Sequence, residues 1–353
     1  MSNVAAILRR HLDSVFDRFE NTVGRRHPVG EIHVDLAGHA VRIRAAEPHL
    51  PCSFAPALSH LPAASPHGAS PALDVIAWDE ASTGVRFPDF PWSLPELSPG
   101  ARLVAPPGSR GFRLAGATPG EGIHLFDPDS GRAAWLLPDA RHLPTFHHAV
   151  PLLTVFKWWA PVVGLRPLHA GCVGSDGHAV LLGGAGGSGK STTALLCALA
   201  GLDYLADDIC LARLDDRPTA VSLYNSGKLH RDHLNRFPEL ASRAVDPEPD
   251  AFEKPVVFMH RHFPRRVPLT SRIRAVLAPR VSGARDTIVE PIQPGEALRA
   301  IAPTTFVQLS PDDASTFRDL ASLVRRVPCF RVHLGTRTEE IPAAIHSLVR
   351  SLA

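Results

Sequence analysis

The eight residues Gly184-Ala185-Gly186-Gly187-Ser188-Gly189-Lys190-Ser191 leave this chain little choice of local structure. The run before them, AVLL, suits a short buried strand. The run after them, STTALLCALAGL, repeats its apolar residues at helical spacing. Strand, glycine loop and helix in this order, with the pattern GxxxxGK[ST], make a phosphate-binding loop. Glycines let the backbone wrap until successive N–H groups point inward at one phosphate. The helix starts at the same point, and its unsatisfied N–H groups add positive potential. Lys190 then reaches the β- and γ-phosphates, Thr192 closes the cradle, and the Ser191 hydroxyl suits a Mg²⁺ ion. A glycine-rich turn with an incidental lysine is the bland alternative, and the flanking strand and helix weigh against it.

Only four of the 37 basic residues are lysines: Lys157, Lys190, Lys228 and Lys254. Where charge alone suffices this chain uses arginine, so a retained lysine points to a need for its compact ammonium. Lys228 and Lys254 lie in polar segments downstream of the loop, where an ammonium would neutralise γ-phosphate charge; ordinary surface lysine is the competing reading.

Asp207 and Asp208 interrupt the apolar run YLADDICLARL, 17 and 18 residues after Lys190. Adjacent carboxylates inside a buried strand are costly unless a cation or hydrogen bonds satisfy them. Mg²⁺ beside a nucleotide would do so, which makes Asp207 a candidate metal ligand together with Ser191. Neighbouring side chains on a strand face opposite ways. Either the strand ends or bulges there, or only one carboxylate faces the nucleotide. His169, in LHAGCV just upstream of the loop strand, is expected near the phosphates, where it would orient an Asp or the transferred group.

Composition removes several classes. Lys+Arg of 37 against Asp+Glu of 35 leaves a net charge of +2, so binding of nucleic acid by bulk charge is not expected. No apolar run approaches the length of a membrane span, and the N-terminal apolar stretch is broken by charges, unlike a signal peptide. Five scattered cysteines without a CxxC read as reduced thiols of a cytoplasmic protein. The histidine pairs 147–148 and 260–262 lack further ligands at zinc spacing. Trp158-Trp159 reads as core, and the arginines of MHRHFPRR (259–266) as a solvated basic face.

The chain divides in composition near residue 146. Residues 1–145 read as an irregular, β-rich domain: an amphipathic helix over 3–22, a hairpin over 31–45 turning at Gly38-His39, a Pro/Gly-rich stretch, and a second hairpin over 122–139. Residues 146–353 read as an α/β domain: an apolar helix over 147–164, strands about a Ser175–Gly177 turn, the loop and its helix, the YLADDICLARL strand, strands over 273–279 and 285–292, and helices over 312–327 and 339–353. The strand–loop–helix–strand order predicts a largely parallel or mixed sheet.

The stretch from about 165 to 215, through LHAGCV, GGAGGSGKS and YLADD, resembles the catalytic domain of the HPr kinase/phosphorylase family, and especially the HPr-kinase-like proteins found without sugar transport components. The resemblance implies a P-loop kinase fold with ATP and Mg²⁺ as cofactors. It implies phosphate and metal binding by Lys190 and Ser191, a base at Asp208 or Asp207 that takes the proton of a target serine, and support of that base by His169. Two departures stand out. NSGKLHRDHLNRF, with Asp232 as its nearest acid, replaces the glycine/arginine-rich signature that carries a metal-binding Glu. Thr192 stands where the sugar-regulating enzymes have Glu. The reverse, phosphate-removing reaction is therefore not expected, and the acceptor is expected to be another protein or a peptide, selected by residues 1–145. A small-molecule kinase and a non-kinase ATP-binding regulator are the alternatives, and a homo-oligomer is compatible with all three.

Overall fold

LDVIAWD (73–79) shows no alternation of polar and apolar residues, the mark of a strand covered on both faces. In a computed structural model of the chain every residue of that strand is buried. The structure describes residues 3–46, 49–65, 70–90, 111–116, 122–234, 237–245, 254–309 and 313–353. Residues 246–253, and 91–110 of the Pro/Gly-rich stretch, fall outside them.

The chain forms two units, one of residues 1–56 and 61–162 and the other of 57–60 and 163–353. The division falls at 162/163 rather than 145/146. The residues read as one apolar helix over 147–164 instead form Thr145–Ala149, Leu153–Trp159 and a 3₁₀ turn Ala160–Val163. All but Val163 belong to the first unit, where the Trp159 indole N–H donates to the Ala72 carbonyl at 3.1 Å.

The first unit holds a six-stranded sheet of β1 (Gly30–Leu36), β2 (His39–Ala45), β3 (Leu73–Asp79), β4 (Arg113–Gly116), β5 (Ile123–Asp127) and β6 (Arg132–Leu137), in the order β1-β2-β3-β6-β5-β4. Both hairpins form, with Leu36 paired to His39 and Asp127 to Arg132. The first therefore turns on Ala37-Gly38 rather than Gly38-His39, and Gly38 supplies the positive φ of 88° that the turn needs. The helix Asn3–Arg18 lays Leu8, Leu12, Val15 and Phe16 against Ile76, Trp78, Leu125 and Leu136.

The second unit holds a nine-stranded sheet. Its strands are β7 (Arg166–His169), β8 (Gly171–Ser175), β9 (His178–Leu182), β10 (Asp203–Ala206), β11 (Ile209–Arg213), β12 (Thr219–Ser222), β15 (Thr270–Val281), β16 (Ile288–Pro291) and β17 (Cys329–Leu334). β13 (Ser226–Lys228) and β14 (Val256–Phe258) form a separate two-stranded ribbon. The main path runs β10-β8-β9-β15-β12-β11-β7, with β17 beside β15 and β16 beside β17.

The sheet is mixed, one of the two expected arrangements, and mostly antiparallel. In this sheet, among the described residues, only β9–β15 and β15–β17 pair in parallel. The loop helix does not return the chain to a parallel neighbour of β9, because β10 pairs antiparallel with β8. Helices Lys190–Leu199 and Glu340–Ser351 cover one face through Leu195, Ile345 and Val349. Helices Pro294–Leu309 and Asp313–Arg326 cover the other through Ala297, Ile301 and Leu320. The first of that second pair was not expected from the sequence.

The segment 57–60 is bound into the second unit. Asn225 donates its backbone N–H and its Nδ2 to the Ala57 carbonyl, each at 2.9 Å. The Ser222 hydroxyl donates to the Leu205 carbonyl at 2.7 Å and lies 3.0 Å from Nε2 of His60, so His60 must donate there. Its Nδ1 then faces Asn225 Nδ2 at 3.4 Å as an acceptor. This tautomer leaves no place for a second proton, and burial pushes the His60 pKa down to about 4.

Candidate active site

β9 ends at Leu182, and the chain enters the glycine loop through two buried glycines. A Cβ on Gly183 would lie 2.8 Å from Cβ of Ile301, so the exit from the strand fits flush under the helix Pro294–Leu309. Gly189 matters more. It precedes the helix Lys190–Leu199 with φ 98°, and a Cβ there would stand 2.3 Å from Cδ1 of Leu334. Ala185, Gly186 and Gly187 are exposed, Ser188, Ser191 and Thr192 half-buried, and Lys190 buried. The Lys190 ammonium turns back into the loop, donating to the carbonyls of Gly184 at 2.6 Å and Ala185 at 3.2 Å. Burial lowers its pKa, and the charges of Asp208 and Asp207 oppose that. Exposed Lys254 is close enough for its charge to be felt at Lys190.

The acidic pair sits where YLADDICLARL breaks. β10 stops at Ala206, β11 starts at Ile209, and a register shift between Tyr204 and Ala206 marks the irregularity. Both carboxylates therefore reach the loop end of the sheet, which settles the alternatives left open by the pleat. Asp207 is 1% exposed. Its Oδ2 accepts the Lys228 backbone N–H at 2.8 Å, while Oδ1 is buried without a hydrogen-bond partner. Burial and then the Asp208 charge raise its pKa, with the Ser191 hydroxyl and the Lys228 amide pulling the other way. A buried carboxylate oxygen without a partner beside a serine hydroxyl is a donor set that fits a hard divalent cation.

Asp208 has the opposite surroundings. Its Oδ1 accepts from Nε2 of His169 at 2.5 Å and its Oδ2 from the Lys228 ammonium at 2.7 Å. Burial alone would raise this carboxyl, but Lys228 and His169 outweigh it and hold it well below the usual carboxylate range. β7 and β11 pair with His169 opposite Ile209, one residue beyond Asp208. The His169 backbone N–H donates to Thr305 Oγ1 at 3.0 Å.

The structure thus brings together His169, Asp207, Asp208, Lys190 and Ser191 in one unit. Lys228 joins them, so the reading of it as ordinary surface lysine is set aside. Tyr204 carries part of that placement, since its hydroxyl donates to the Ser226 carbonyl at 2.7 Å. Gly227 carries the rest, because a Cβ there would lie 2.8 Å from Cδ2 of Leu195 on the loop helix. Thr305 was not foreseen, and nothing local in GEALRAIAPTTFVQL signals it. Asp232 is exposed on the short helix Arg231–Leu234 and takes no part.

A cavity of about 360 Å³ lies against the other side of the loop, walled by Gly184, Ser188, Arg280, Arg299, Thr304 and the Arg331–Glu296 ion pair of 2.9 Å. Hydroxyls of Ser188 and Thr304 are buried there without partners. Among the described residues no group of three or more His, Cys, Asp or Glu is arranged to hold a metal, and no helix is long and apolar enough to cross a membrane.

No protein-family model matches the chain, and no curated protein matches it either. Among solved structures it is similar to the HPr(Ser) kinase/phosphatase from Coxiella burnetii, at 13% identity and a TM-score of 0.27, over 53% of this chain and 95% of that one.

Proposed function

We propose that this protein is an ATP-dependent phosphotransferase of the HPr-kinase-like type, which moves the γ-phosphate to a serine or threonine hydroxyl of a protein or peptide. The observation that carries this reading is Asp208, an ionised carboxylate held by His169 and Lys228 at the same sheet end as the glycine loop. A protein that only senses nucleotide has no need of such a group, whereas a kinase needs a base within hydrogen-bond reach of the attacking hydroxyl.

In this reading the loop amides and Lys190 bind the phosphates. Ser191 and Asp207 are the residues that would hold Mg²⁺, which supplies neutralisation of phosphate charge. The hydroxyl oxygen bonds to the γ-phosphorus as the bond to the bridging oxygen breaks. ADP leaves with that electron pair, and the hydroxyl proton passes to Asp208. His169 holds Oδ1 and so aims the carboxylate. The first unit is where we place selection of the acceptor, in a cytoplasmic setting. The reverse reaction is not part of the proposal, since no acid replaces the signature Glu among the described site residues.

The cavity beside the loop favours a second reading, a kinase whose acceptor is a small anionic molecule. The guanidiniums of Arg280 and Arg299 on its wall are suited to one. Incubation with γ-labelled ATP, Mg²⁺ and a panel of peptides or a cell extract separates the readings. Label in polypeptide supports the first, and label in small solutes supports the second. Label in free phosphate alone overturns both.

A further inference from the structure

Both oxygens of Asp208 are already engaged, Oδ1 by the His169 ring and Oδ2 by the Lys228 ammonium. Each oxygen holds its donor on one lone pair, so a hydroxyl that is to surrender its proton must either take the second or displace a donor. His169 cannot yield easily. Its ring is buried, and its backbone is pinned by strand pairing and by Thr305. Lys228 can, because its ammonium rides on a flexible stem while its backbone stays fixed on Asp207 at 2.8 Å. The site also balances its charge internally, two carboxylates against Lys190 and Lys228. In this structure both ammoniums rest on protein oxygens, Lys190 on the loop carbonyls and Lys228 on Asp208.

We infer that Lys228 is a two-position catalytic lysine, which leaves Asp208 for the γ-phosphate when ATP binds and thereby uncovers Oδ2 for the acceptor hydroxyl. The inference rests on the kinase reading and adds a device to it. The γ-phosphate brings excess negative charge into the balanced site, and the ammonium that can move follows it. ADP lacks that group and leaves Oδ2 covered. The base is thus presented only when a transferable phosphate is present, and ATP must bind before the acceptor hydroxyl can be used.

Calorimetric titration with the non-hydrolysable analogue AMP-PNP and with ADP, each with Mg²⁺, tests this in the full chain. Lys228→Met should weaken AMP-PNP by about 10- to 150-fold, the worth of a charge-assisted hydrogen bond, and leave ADP nearly unchanged. Lys228→Arg keeps the charge and the ion pair, so it should keep much of the preference for AMP-PNP even if the Met variant fails to fold. Equal weakening of both ligands in Lys228→Met, or loss of the preference in Lys228→Arg, overturns the proposal. If the wild-type protein binds AMP-PNP and ADP yet transfers label to nothing but water, the kinase reading itself has failed, and this device fails with it.

Discussion

Nε2 of His169 donates to Oδ1 of Asp208 at 2.5 Å, between two strands that the register of Ile209 against His169 holds side by side. The remaining ring nitrogen, Nδ1, is buried without a partner. The hold of the ring on the carboxylate therefore runs through Nε2. A carboxylate held this way has a fixed direction, which a base needs more than it needs high basicity.

Asp208→Asn keeps the shape and removes the proton acceptor. Phosphoryl transfer should fall by about 10²- to 10⁴-fold, while AMP-PNP binding, measured by calorimetry, stays within a few fold. Near wild-type transfer in this variant would remove Asp208 from the role of base.

Asp207→Asn should stabilise the protein and impair it. The folded-state pKa of Asp207 lies above its unfolded value, because burial and Asp208 disfavour its charge. Its ionisation therefore costs stability as pH rises from the unfolded pKa through the folded one, and the cost is fully present above both. Asn removes it while still accepting the Lys228 amide. We expect a gain of about 0.5–2 kcal/mol at pH 7, read as a higher melting temperature without ligand. Mg²⁺-dependent nucleotide binding should weaken in the same variant. A melting temperature that does not rise would show that the burial is compensated.

Two loop glycines should behave differently. Gly189→Ala imposes a left-handed backbone on a residue with a Cβ and drives that atom into Leu334, so denaturant titration should show a loss of about 1–3 kcal/mol. Gly186 has open space around its would-be Cβ and no left-handed φ, and Gly186→Ala should stay within about 0.5 kcal/mol.

Lys190→Ala removes the buried ammonium from the loop carbonyls. Nucleotide affinity should drop by about 10- to 150-fold, for ADP as well as for AMP-PNP. That shared loss distinguishes Lys190 from Lys228, whose variant should affect AMP-PNP alone.

Acid should weaken the second unit through His60. Its folded pKa of about 4 lies below the ordinary histidine value of 6.5. Stability from this residue is whole above 6.5, is lost as pH falls toward 4, and levels off below that. The loss is on the order of 3 kcal/mol. Urea titrations at pH 7 and pH 4.5 should differ less in His60→Gln than in wild type. An equal difference in both would place the acid sensitivity elsewhere.

The glycine loop was legible because it is local. Glycines that tolerate positive φ, an apolar run before and a helical run after are contained in about twenty-five consecutive residues, and no distant contact is needed to specify the turn. The acidic pair was legible as chemistry, since two carboxylates in an apolar run demand compensation. Its geometry was not. Strand periodicity cannot say that β10 stops at Ala206 and β11 restarts at Ile209. The choice between a largely parallel and a mixed sheet was left open for a related reason. β9 gains its parallel neighbour only from β15, after β10 to β14 have intervened, and no short-range pattern encodes which strand a sheet will place next.

What the residues decided by themselves is therefore a glycine turn between a strand and a helix, with acids and a histidine near it in the chain. Tertiary structure decided that His169 and Lys228 grip opposite oxygens of Asp208, across 39 and 20 residues of sequence respectively. Backbone propensity acts over a few residues, whereas the position of a charged side chain depends on strand pairing and on burial. Only the assembled sheet supplies those two.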